Sequence, residues 1–177
     1  MSIGKFNIVL VGNSKVGKTS FLQRNLTRDF NLSTRRAKRN LLGEFIPTTF
    51  HLTFETEQGV VEFEVIECDD SNLPLEFDAS AAILMFDVTN KESYNHLGYW
   101  RDTVFDHFGE LSTIVCGNKA DVEPRVVTPK MIKFHRENGM LYFDVSAKSG
   151  LNIEEPFLCL ANHLTKFFNS FFHNIIS

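Results

Sequence analysis

The stretch GNSKVGKT, Gly12 to Thr19, constrains this chain more than any other. It has the pattern G-x-x-x-x-G-K-T. An apolar-leaning run, Asn7 to Val11, precedes it, and Ser20 to Arg24, which reads as helix, follows. Strand, glycine loop and helix in that order form the setting in which a loop wraps phosphate groups. Glycines let the backbone curl, so that successive N–H groups converge on anionic oxygens. The helix N-terminus adds its partial positive charge at the same point. In such a loop Lys18 reaches the β- and γ-phosphates of a nucleotide and the Thr19 hydroxyl binds Mg²⁺. Gly12, Asn13, Ser14, Lys15, Val16, Gly17, Lys18, Thr19 and Ser20 are therefore candidate nucleotide-binding residues.

The rest of the chain supplies an α/β pattern. Residues 5–11 read as a buried strand and 18–28 as a helix. Phe50 to Thr56 and Val60 to Glu67 are strand-like runs, and Glu57-Gln58-Gly59 between them signals a hairpin. Ala81 to Val88 is continuously apolar, as in a strand buried on both faces. A helix is expected over Lys91 to Phe108 with Asn90 as its N-cap. Leu111 to Gly117 is a further strand, Pro129 opens a helix running to about Glu137, Met140 to Val145 is a last strand, and Ile153 to about Phe172 a closing helix. Apolar strands alternating with helices predict a mostly parallel sheet covered on both faces, with one antiparallel edge strand entering through the hairpin.

Length and composition narrow the class further. A chain of 177 residues without repeats reads as a single domain, 1–177, with room for a substantial core. A net charge of −4 gives no case for nucleic-acid binding. No long apolar run suggests a membrane span, and the first strand begins too early to leave room for a signal peptide. Cys68, Cys116 and Cys159 are odd in number and lack C-x-x-C spacing, which suits reduced thiols rather than a metal site. The ending Asn174-Ile175-Ile176-Ser177 offers no cysteine for prenylation.

Two more motifs fall at predicted strand ends, where an open α/β sheet places its ligand. The first is GNKAD, Gly117 to Asp121. Asp121 is suited to accept from N1–H and the exocyclic amine of guanine, a donor pair that adenine lacks. Lys119 would lay its stem along the base, and Asn118 would tie the motif to the phosphate loop. The second is SAK, Ser146, Ala147 and Lys148, where a backbone N–H can hold the guanine O6.

On these motifs the chain resembles the Ras-like small GTPases. GNSKVGKTSFL is similar to the Rab group. MFDVTNKESY (Met85 to Tyr94), IVCGNKADV (Ile114 to Val122) and KFHRENGMLYFDVSAKSGLNIEEPFLCLA (Lys133 to Ala161) are similar to Ran. The resemblance implies the phosphate-loop small-GTPase fold, a six-stranded mostly parallel sheet with helices on both faces. It also implies GTP or GDP with Mg²⁺, a monomer, and exchange, activating and transport-receptor proteins as partners. Nucleocytoplasmic transport, in nucleus and cytoplasm, is the cellular role it suggests. Metal ligands by resemblance are Thr19, Thr48 (with Thr49 a close rival) and Glu67.

The chain departs from its family in both switch segments. Switch I, about 29–49, carries an insertion that includes Arg35-Arg36-Ala37-Lys38-Arg39. A charge run in a long loop is ordinarily solvated; a partner-binding arm or nuclear-import signal is the sharper reading. Switch II, about 67–79, is shortened, and the helix after it is expected to be truncated or missing. Where the family has W-D-T-A-G-Q-E, this chain reads Ile66-Glu67-Cys68-Asp69-Asp70-Ser71-Asn72. Glu67 replaces the aspartate that holds Mg²⁺ through water, Asp70 stands at the glycine, and Ser71 stands at the glutamine that orients the attacking water. These changes predict impaired hydrolysis and a preference for GDP, opposed by Lys15 or an arginine of the 35–39 run if either covers the γ-phosphate. Two functions remain open on the residues: a GTPase switch, or a nucleotide-binding module that no longer switches and acts as a scaffold or competitor. The apolar stripe Phe157, Leu160, Ala161, Leu164, Phe168 and Phe171 reads as core. The Phe-rich end beyond residue 166 packs back on the domain or contacts a partner or membrane surface.

Overall fold

A computed structural model describes residues 2–26, 34–35, 38–39, 45–46, 48–68, 73 and 77–176; for 34–46 and beyond 166 the description is of the backbone. The elements in chain order are β1 (Ser2–Val11), α1 (Lys18–Leu26), β2 (Thr34–Arg35), β3 (Lys38–Arg39), β4 (Phe45–Ile46), β5 (Thr49–Thr56), β6 (Gly59–Cys68), β7 (Ala81–Asp87), α2 (Lys91–Asn95), α3 (Leu97–Phe108), β8 (Ser112–Asn118), α4 (Phe134–Glu137), β9 (Leu141–Asp144) and α5 (Glu155–Ile176).

Six strands run in the order β5-β6-β1-β7-β8-β9, with the two-residue β2 added outside β5. β1 is parallel to β6 and β7, and β7, β8 and β9 are parallel in turn. β5 pairs antiparallel with β6 across the expected hairpin at Glu57–Gln58. This is the predicted fold.

Alternation along β1 shows how the sheet is covered. Ile8 and Leu10 belong to one apolar layer with Phe21, Leu22, Phe54, Phe63, Phe157 and Leu160, under α1 and α5. Val9 and Val11 belong to the other, with Leu84, Leu97, Trp100 and Val104, under α2 and α3. Side chains of a strand point alternately to the two faces, so a continuous apolar run serves both layers. Every residue of β7 is buried, as its sequence predicts. In the closing helix Phe157, Leu160 and Ala161 are buried and Leu164 packs against them; the side chains of Phe168 and Phe171 lie outside the described residues.

Two helices differ from expectation. Asn90 caps its helix, its Oδ1 accepting from the N–H groups of Glu92 (2.9 Å) and Ser93 (3.4 Å), but the helix is divided at His96 into α2 and α3. The helix predicted from Pro129 shrinks to the single turn Phe134–Glu137. Tyr94 explains the loss: its hydroxyl donates to the Met131 carbonyl at 3.0 Å and accepts from the N–H groups of Lys133 (2.8 Å) and Phe134 (3.2 Å). Those backbone groups are engaged by a side chain from α2, leaving the ladder without its first turns. The segment expected to form a shortened switch II falls partly outside the described residues, at 69–72 and 74–76; Leu73 and Phe77 to Ser80, which are described, are not helical.

Candidate functional site

Five strand ends meet at one edge of the sheet. β1 ends at Val11 and passes into the glycine loop. Glu67 and Cys68, closing β6, stand in register with Leu10 and Val11. β7 and β8 finish side by side at Asp87 and Asn118. β9 ends at Asp144, two residues before Ser146.

The loop shows why its glycines are required. Gly12 has φ +152°, and a Cβ there would lie 2.1 Å from the Met85 carbonyl oxygen. Gly17 has φ +97°, and its Cβ would lie 2.3 Å from Nδ2 of Asn118. Lys15 also adopts a left-handed conformation, φ 66°, and is exposed. Lys18 is buried, its Nζ donating to the carbonyls of Gly12 (2.7 Å) and Asn13 (3.0 Å), so the ammonium is fixed over the loop.

A cleft of about 630 Å³ opens above the loop, lined by Ser14, Lys15, Lys18, Thr19, Thr48 and Glu67 among others. Thr48, and not its rival Thr49, lines this cleft. Thr19 Oγ1 lies 2.9 and 2.8 Å from the two carboxylate oxygens of Glu67. The longer side chain of glutamate therefore does reach the threonine. With its O–H donating to the carboxylate, the hydroxyl oxygen has lone pairs left for a cation. Hydroxyl and carboxylate oxygens beside a phosphate site suit a hard cation such as Mg²⁺, which keeps few protein ligands and takes the rest from phosphate and water. Among the described residues no cluster of three His, Cys, Asp or Glu side chains forms a metal cage, and Mg²⁺ bound in this manner needs none.

A second recess of about 280 Å³ shares Gly17, Ser20 and Lys119 with the first and is completed by Asn118, Asp121, Val122, Ala147 and Lys148. Asn118 is buried. Its Nδ2 donates to the Val16 carbonyl at 2.9 Å, and its Oδ1 accepts from the Ala147 N–H at 3.2 Å. One amide thus joins the phosphate loop, the GNKAD loop and the SAK loop. Asp121 Oδ1 accepts from the buried Ser146 hydroxyl at 2.5 Å, which holds its carboxyl below the usual carboxylate range, with Lys148 contributing. The carboxylate is oriented and charged before any base arrives.

Four predicted residues line neither cleft: Gly12, Asn13, Val16 and the buried Ser146. Val16 packs into the core. Asn13 turns toward α3, its Oδ1 accepting from Trp100 Nε1 at 2.8 Å and its Nδ2 lying 2.8 Å from His96 Nδ1. Asp69, Asp70 and Ser71 lie outside the described residues.

Sequence reasoning missed Asp87. Its side chain is buried and accepts from Lys119 Nζ at 2.5 Å, while Lys119 also donates to the Lys15 carbonyl at 3.2 Å. Lys119 has φ 62°, so this long cation is held across the recess by a strained backbone and a buried partner. A carboxylate ending an otherwise apolar strand was the available signal.

Also missed was the Arg125–Asp144 pair, at 2.8 and 2.7 Å, which staples the loop following GNKAD to the strand preceding SAK. Burial pushes the Asp144 carboxyl up, but donors from Arg125 and Tyr142 together outweigh it and hold it below the usual range. A depressed carboxyl contributes stability that is present above its unfolded pKa, about 3.9, and is lost as pH falls through the folded value. The melting temperature of the unmodified chain should therefore fall more steeply between pH 5 and 3, to order of magnitude the carboxylate range, than that of Arg125→Ala.

These parts define a phosphate-loop nucleotide-binding site with an attached base recess. A comparison with protein-family models matches the Ras family over residues 7–166. The chain therefore belongs to the Ras family, and is a small GTPase that binds nucleotide.

Proposed function

We propose that the protein binds guanine nucleotide together with Mg²⁺ and hydrolyses GTP slowly. The observation that carries the reading is Asp121, held by Ser146 at 2.5 Å on the wall of the base recess, with Asn118 joining that wall to the phosphate loop. A fixed acceptor pair matches N1–H and the exocyclic amine of guanine and leaves adenine unpaired. Thr19, Glu67 and Thr48 would hold the Mg²⁺, which neutralises phosphate charge when bound. Slow hydrolysis is inferred from Ser71 standing at the glutamine position of the family.

The Ran-like second half supports a role in nucleocytoplasmic transport, with the protein divided between nucleus and cytoplasm and meeting transport receptors as a monomer.

Denaturing the purified protein and identifying the released nucleotide by chromatography tests the binding. GDP or GTP is expected; adenine nucleotide would overturn the base assignment. Added Mg²⁺-GDP at a hundredfold over Kd should contribute about 2.7 kcal/mol, and thereby raise the melting temperature by roughly 5–10 °C. No shift with either guanine nucleotide would transfer the argument to a non-switching scaffold. Single-turnover hydrolysis should fall below the order of 10⁻⁴ s⁻¹ known for an unassisted enzyme of this kind.

A further inference from the structure

Asn13 joins the phosphate loop to the point where α2 gives way to α3. His96 stands at that point, and Trp100 follows four residues later, its N–H donating to the His96 carbonyl at 3.1 Å. That spacing puts both side chains on one face. Asn13 meets the two together: its Oδ1 accepts from Trp100 Nε1 at 2.8 Å, and its Nδ2 lies 2.8 Å from His96 Nδ1. Trp100 is buried, so the amide is held against the core.

This arrangement fixes the state of the histidine. An indole N–H can only donate, so the Asn13 atom facing Trp100 is the amide oxygen. The atom facing His96 is then the amide nitrogen, which also only donates. His96 Nδ1 must therefore accept, with the ring proton on Nε2. An imidazolium carries a proton on each nitrogen and would meet Nδ2 donor to donor. The elements packed around the ring carry Lys91 and Glu92 on α2, Lys15 and Lys18 on the loop, and Arg101 and Asp102 on α3. Arg101 pairs with Asp102, and among the described residues none forms an ion pair with His96.

Asn13 also holds the cation of the loop. Its main-chain carbonyl accepts from Lys18 Nζ at 3.0 Å, in a peptide unit whose N–H belongs to Ser14 on the cleft wall. Releasing the side chain lets that unit turn, and with it one of the two carbonyls that set the ammonium.

We propose that His96 is a positioning residue for the phosphate loop: neutral, it latches Asn13 and through the Asn13 carbonyl sets Lys18 for phosphate, so that the grip on nucleotide loosens when His96 takes a proton. The proposal rests on the nucleotide reading above. It is tested by the release of fluorescent GDP from the full chain with Mg²⁺ at about pH 7.5 and about pH 5.5, an interval in which imidazole changes charge. His96→Asn supplies an amide oxygen as an acceptor that does not titrate. The unmodified chain should match this variant at the higher pH and release GDP about fivefold faster than it at the lower, the worth of about one hydrogen bond. His96→Ala should release GDP about fivefold faster than His96→Asn at both. Phosphate itself ionises near pH 6, but equally in all three chains, so it cancels in the ratios. In the unliganded chain the Asn13 amide and Trp100 indole resonances should shift with the His96 ring in a single titration. A His96→Asn chain that keeps the pH response of the unmodified one overturns the proposal. So does a His96→Ala chain that holds GDP as well as the unmodified one at about pH 7.5. If the unmodified chain binds no guanine nucleotide, the nucleotide reading fails and this one with it; normal binding with His96 variants that all behave alike overturns this one alone.

Discussion

Phe157→Ala is expected to destabilise the protein by about 3–5 kcal/mol, the range for emptying a buried aromatic site. Phe157 has no exposed surface. Its ring stacks on Phe21 at 5.6 Å and 18° and on Phe54 at 5.3 Å and 16°, and lies 5.9 Å from Phe63. It therefore joins α5 to α1, to the hairpin strand β5 and to β6 at one point. Domains are commonly stable by only about 5–15 kcal/mol, so the loss takes a large share of the total. Urea unfolding reads it as a lowered midpoint at unchanged slope. Because α1 opens directly from the phosphate loop and carries Phe21, saturating nucleotide should restore part of the midpoint by mass action. A loss below about 1 kcal/mol would mean that the surrounding rings close over the vacated space.

Asp121→Ala should have its larger effect on the ligand and a smaller one on the fold. The side chain is exposed at the recess, and in the unliganded protein its removal takes the acceptor from the buried Ser146 hydroxyl, at a cost of about 1–3 kcal/mol. With guanine present it is expected to accept two hydrogen bonds at a carboxylate, each worth about 1.5–3 kcal/mol. Affinity for GDP should fall by about 4 kcal/mol, roughly a thousandfold. Selectivity over adenine nucleotide should collapse in parallel, since the acceptor pair is the discriminating feature. Competition titration with GDP and ADP measures both. A variant that keeps the guanine preference would place base recognition elsewhere in the recess.

Much of this was legible in the chain itself, for identifiable reasons. Gly12, Gly17, Lys18 and Thr19 act through backbone shape and short reach, so their spacing nearly fixes their geometry. The tie from Asn118 to the phosphate loop spans 102 positions, but the two motifs were expected at neighbouring strand ends, and it is present at 2.9 Å. What escaped were pairings of residues far apart in sequence: Asp87 with Lys119, Asn13 with Trp100 and His96, Arg125 with Asp144. Each depends on which strand ends become neighbours, and periodicity does not report that. The helix expected from Pro129 failed similarly, because Tyr94 engages its backbone groups from another element. In the insertion, the run of charges drew the reading toward a solvated loop, while the backbone pairing of this stretch with 45–50 has no strong turn signal to announce it.

The contact between Gly17 and Asn118 makes two distant parts of the sequence depend on one another. At Gly17 a side chain would collide first with the asparagine amide, 2.3 Å away. That amide cannot retreat without releasing Val16 and Ala147 together. A mutation at either position therefore cannot be repaired where it occurs. Changing Asn118 would remove the nearest obstacle at Gly17 but not its φ of +97°, which by itself favours glycine. Phosphate loop and base recess thus hang on one amide, and neither can be reshaped without the other.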